Sequence, residues 1–110
     1  MTVAAFSGAA TAVGATAVAG AASGAPQVPV TTSKARSLVW AVGHDADQAV
    51  ARTPLPGQTV VHEFLDPAGG AGWVQATGPT SAAGSVVTMG DSAPTIDRWE
   101  LAAVEIPPAH

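Results

Sequence analysis

Ser37-Leu38-Val39-Trp40-Ala41-Val42 is the stretch that decides the fold. Leu38, Trp40 and Val42 fall on one side of an extended chain and Val39 and Ala41 on the other, the period of two that marks a strand. Gly43-His44-Asp45 closes it. Downstream, Gln58 to Leu65 repeats the pattern, with Val60, His62 and Phe64 on one face and Val61, Glu63 and Leu65 on the other. The turn cluster Asp66-Pro67-Ala68-Gly69-Gly70 lets Trp73 to Thr77 pair back as a hairpin arm, and Gly84 to Met89 adds a Val-rich strand. Upstream, Thr2 to Phe6 reads as a short strand closed by Ser7-Gly8. Short strands punctuated by Gly/Pro turns predict an all-β domain, a β-sandwich.

Three segments are less plain. Ala9 to Pro29 is an Ala/Gly-rich run without a clean period and reads as a weakly structured connection, becoming extended around Gln27 to Thr32 under the influence of Pro26 and Pro29. Asp45-x-x-Gln48 resembles a helix start capped by Asp45, but Pro54 and Pro56 limit it to a helical turn. Asp97 to Ile106 places Trp99, Ala102, Ala103 and Ile106 at helical spacing and fits a strand equally well.

Composition narrows the function. Of 110 residues 47% are hydrophobic, yet many are alanine, so bulky core formers are few. Charged residues make up 11% and the formal charge is -4; Lys34, Arg36, Arg52 and Arg98 form no run, which argues against nucleic acid. The absence of cysteine removes disulfides, thiolate catalysis and Cys-type zinc sites. Met1 to Ser33 carries no charge, but it has no basic start and no leucine, so neither a signal peptide nor a membrane span is expected.

Candidate sites are sparse. Asp45 and Asp47, two apart on a loop, could offer oxygens to calcium; the simpler reading makes Asp45 a turn cap and Asp47 the partner of Arg52. His62-Glu63 is half of a zinc-protease motif, but Asp66 stands where the second histidine belongs; a half-buried His62 satisfied by a neighbour is expected. No Gly-x-Ser-x-Gly turn and no phosphate-binding loop is spelled, so no catalytic residue is assigned. Trp40, Trp73 and Trp99 could stack on sugar rings, as in a lectin-like module, although a chain this short of large side chains needs them for its core. Asp97 and Arg98 read as a surface ion pair.

The order of these motifs carries a resemblance. Val3-Ala4-Ala5-Phe6-Ser7-Gly8, Gly24-Ala25-Pro26, Ser37-Leu38-Val39 leading into Gly43-x-Asp45-x-Asp47, Ala51-Arg52-Thr53, Gln58-Thr59-x-Val61-His62, Trp73-Val74-Gln75, Asp91-x-Ala93-Pro94-Thr95 and Arg98-Trp99 to Ile106 together look like a repeat module of large secreted bacterial proteins. Such modules sit beside immunoglobulin-like, fibronectin type III-like or carbohydrate-active domains. The resemblance implies an Ig-like or jelly-roll-like β-sandwich over residues 1–106, partial because it lacks N-terminal strands, with 107–110 as a tail. It implies a non-catalytic spacer, extracellular as part of a larger protein, whose partners are neighbouring domains and, in the alternative, polysaccharide. His44, Ala46 and Gly70-Ala71-Gly72 depart from the module's Asn, Trp and acidic-Thr-Phe.

Overall fold

The structure, a computed structural model, describes residues 3–80 and 82–109. Eight strands form two antiparallel sheets: β1 (Thr16–Ala21), β2 (Gln27–Thr31), β3 (Leu38–Asp45), β4 (Thr53–Pro54), β5 (Gln58–Asp66), β6 (Gly70–Thr77), β7 (Val86–Ala93) and β8 (Trp99–Ile106). One sheet runs β1-β8-β3-β6-β5 and the other β2-β7-β4; no helix occurs among the described residues. The domain is all-β, as a β-sandwich requires.

The core follows from strand alternation. Val39 and Ala41 of β3, Trp73 of β6 and Trp99, Leu101 and Ala103 of β8 face Val28 and Val30 of β2 and Met89 of β7, with Ala17 and Ala19 of β1 packed alongside. Trp73 is 2% exposed and lies across Gly43, where a Cβ would collide with the indole. Glycine there makes room for the largest side chain in the core.

Several expectations change. β2 follows the expected extension around Gln27 to Thr32, but β1 lies within the Ala/Gly-rich run expected to be a weakly structured connection: alanines 17 and 19 pack against the core while β8 supplies the ladder, Thr16 to Ala21 opposite Val104 to Trp99. Pairing outweighs weak intrinsic preference. Val3 to Phe6 forms no strand; Phe6 instead meets Trp40 edge-on at 5.2 Å, and Thr2 lies outside the described residues. The expected tail is held, since Pro107 is buried and Ala9 bridges Pro108.

The helical turn after Asp45 is absent: β3 runs on through Gly43 and His44 to Asp45, and Pro54 stands on the two-residue edge strand β4. The ambiguous segment Asp97 to Ile106 resolves as strand from Trp99 onward, β8, with Trp99, Leu101, Ala103 and Glu105 turned inward, because β3 and β1 flank it on both sides. In β5 the register shifts between Val60 and His62. The extra residue separates Val60, opposite buried Gln75, from His62 and Phe64, opposite Val74 and Gly72 on the outer face. His62 is therefore exposed rather than half-buried.

Candidate functional site

The broadest candidate surface is the outer face of the five-stranded sheet, where register aligns side chains in rows. One row reads Val18, Ala102, Val42, Val74 and His62; the next towards the β8 C-terminus reads Thr16, Val104, Trp40, Ala76 and Thr59; on the other side stand Gly20, Glu100, His44, Gly72 and Phe64. Val18 is 80% exposed, Val42 60% and Phe64 58%. Ala102 lies low between Val18 and Val42, opening a trough of about 510 Å³ that His44 and Glu100 border. A second hollow of about 330 Å³ lies beside Trp40 and Val74. An apolar surface this continuous is unusual on an isolated domain.

The predicted tryptophan trio is divided. Trp40 is half-buried on the outer face, braced by Phe6, whereas Trp73 and Trp99 are core residues. Trp73 donates its Nε1–H to Gln75 Oε1 at 2.9 Å, and the Arg52 guanidinium sits 4.5 Å over its ring. Gln75 Nε2 donates to Gln58 Oε1 at 2.7 Å and to the Gly90 carbonyl at 2.8 Å, tying the two sheets together. These two indoles cannot meet a ligand without unfolding the domain.

The Asp45 and Asp47 loop takes a structural form. Asp45 Oδ1 accepts from the amides of Asp47 at 2.7 Å and Gln48 at 3.2 Å, the expected turn cap. Arg52, however, pairs with Asp45, Nη2 to Oδ2 at 2.6 Å with both side chains buried, while Asp47 Oδ2 accepts the Arg98 amide at 2.7 Å. Burial alone would raise the Asp45 carboxyl; Arg52 and the turn amides carry it below its ordinary range. Asp97 is buried beside Asp45 rather than paired with Arg98 on the surface, and burial together with the neighbouring carboxylate pushes it up. No group of three or more His, Asp or Glu side chains placed to hold a metal ion occurs among the described residues.

Compared with known proteins, the chain matches no family model, no curated protein and no solved structure.

Two buried acids escaped the sequence reading. Glu105, at an inward position of β8, accepts hydrogen bonds from the Ala15, Ser33 and Lys34 amides and from the Ser33 and Ser37 hydroxyls. Burial would raise its carboxyl, but those donors outweigh it and hold it at about 2. Asp91 on β7 is fully buried, and neither carboxylate oxygen has a hydrogen-bond partner among the described residues. Burial lifts it to about 7, Arg52 opposing and Glu63 adding to the rise. The signal for Glu105 was its place in the alternation Trp99, Leu101, Ala103, Glu105; Asp91 had none, because it lay beyond the expected end of its strand.

Proposed function

We propose that the chain is a non-catalytic structural module of a secreted multidomain bacterial protein, extending or presenting the domains next to it. The observation that carries this reading is the use made of the buried ionisable groups. Glu105 gathers the Ser33 to Ser37 loop, and Asp45 with Arg52 fastens the end of β3; they serve the scaffold instead of converging on an open cleft. Among the described residues, His44 stands across from the Glu100 carboxylate and from Gly72, with no hydroxyl at either paired position to serve as a nucleophile, and His62 stands across from Val74. Tryptophan fluorescence titrated with cell-wall and plant polysaccharides is expected to stay unchanged. Saturable, stoichiometric binding would overturn the proposal.

Carbohydrate binding is the second reading, and Trp40 favours it, as a half-buried indole on the outer face that borders an open hollow. That reading predicts a fluorescence shift on adding sugar that Trp40→Ala abolishes. Trp73→Ala would be the wrong test, since it removes the core rather than a contact.

A further inference from the structure

We propose that the outer face of the five-stranded sheet is a homodimer interface, closed by a second copy of this chain stacked face to face about a two-fold axis. Chemistry selects the kind of partner. Of the eight acidic residues, Glu100 alone stands in the three outer rows: Asp45, Asp91, Asp97 and Glu105 are buried, Glu63 faces Arg52, Asp47 lies in the turn after β3, and Asp66 stands beyond Phe64 at the corner of the face, where β5 ends. No lysine or arginine stands in those rows. Arg98, before β8, and Asp66 stand outside these rows at the Trp99 end of the face, so three rows without a fixed cation and with one carboxylate offer a binding stripe neither to a polyanion nor to a polycation. Apolar surface is what it can exchange for water.

Size and relief select a second copy. Strands about 4.8 Å apart, advancing about 3.3 Å per residue, give this face roughly 500 Å² in projection, so two copies remove on the order of 1,000 Å² from water, the least a specific interface is expected to bury and the size of a weak, reversible one. A two-fold interface needs one surface to carry both ridge and groove. Here Val18 of β1 and Val42 of β3 are ridges, and Ala102 of β8 is the floor between them. Sheets stacked this way pack about 10 Å apart, a distance that valine against alanine fills. His44 and Glu100, paired across β3 and β8 at the border, keep polar side chains towards the rim without leaving a charge at the centre.

Sedimentation velocity across a wide concentration range, on the full chain, tests the interface. The expected result is a reversible monomer–dimer equilibrium. Val42→Glu, at a position already 60% exposed, leaves the folded monomer intact by circular dichroism and weakens dimerisation by more than about a hundredfold, because the new carboxylate is buried unpaired in the dimer. Val18→Glu does the same from β1, and Ile96→Glu, on an exposed loop off the face, leaves the dimer unchanged. A wild-type chain that is monomeric at every concentration would overturn the proposal. So would a dimer that survives both Val42→Glu and Val18→Glu, which would place the contact at a strand edge, or self-association replaced by binding to lipid vesicles.

Discussion

The two ends of the large sheet bury acidic groups in opposite ways. At the Ile106 end, Glu105 is surrounded by amide and hydroxyl donors from the β1 approach and the β2–β3 loop, and its charge is better satisfied inside the protein than in water. At the Trp99 end, Asp45, Asp91 and Asp97 gather round Arg52, whose Nη1 is itself unpartnered, as are both Asp91 oxygens, Asp97 Oδ2 and Trp99 Nε1 among the described residues. One cation serves several acids there. The difference teaches that burial does not decide what a carboxylate contributes; the number of donors aimed at it does. A ringed carboxylate stabilises the fold when ionised, and an orphaned one stabilises it only when protonated.

The largest effect that would break this contrast is expected from Glu105→Ala. Removing the acceptor strands the Ser33 and Lys34 amides and the Ser37 hydroxyl, and urea unfolding at neutral pH is expected to show a loss of about 3 kcal/mol. A loss below about 1 kcal/mol would mean that the loop holds itself and Glu105 merely fills space.

Next in size is the pH dependence. Asp91 binds its proton more tightly folded than unfolded, so stability falls as pH rises from its ordinary 3.8 towards about 7 and levels off above. Asp97, also raised, adds to the same limb. Glu105 acts oppositely: its contribution is complete above 4.5 and disappears as pH falls towards about 2. Urea midpoints across pH should therefore peak between these limbs, on the acidic side of neutrality. Asp91→Asn is expected to flatten the upper limb and to raise stability at pH 8 by about 1 to 3 kcal/mol, since an unpaired buried charge is gone. An unchanged upper limb in that variant would show that Asp91 is solvated after all.

The smallest effect sharpens the Glu105 end. A Cβ at Gly14 would overlap the Glu105 carboxylate, so Gly14→Ala should displace it from its donors and cost about 1 kcal/mol, with the acid limb moving to higher pH. Thermal melts of Gly14→Ala against wild type at pH 3 and pH 7 measure both. No difference between the two pH values would separate the glycine from the carboxylate.

Much of the scaffold was legible in residue order. The alternation in Leu38 to Val42 and in Gln58 to Leu65 announced β3 and β5, and the turn clusters announced their ends, because those signals are local. β1 was not legible, since Thr-Ala-Val-Ala-Gly-Ala becomes a strand only when β8 offers it a ladder. The bulge in β5 was hidden too: a single inserted residue reverses which face His62 occupies, and nothing in its neighbours' chemistry marks it. Of the candidate site, Asp45 as a turn cap was readable, but its partner was not; Arg52 chose Asp45 over Asp47 because the ends of β3 and β4 set which carboxylate points inward.

By itself, the order of residues determined an all-β chain with few bulky groups, no cysteine and little positive charge, because periodicity, turn chemistry and composition act over a few neighbours. Tertiary structure decided which tryptophan reaches the surface, which acids share one arginine, and that the outer rows of five strands join into one apolar face. Those outcomes depend on register between strands far apart in the chain, and a shift of one residue would have turned every side chain to the other side.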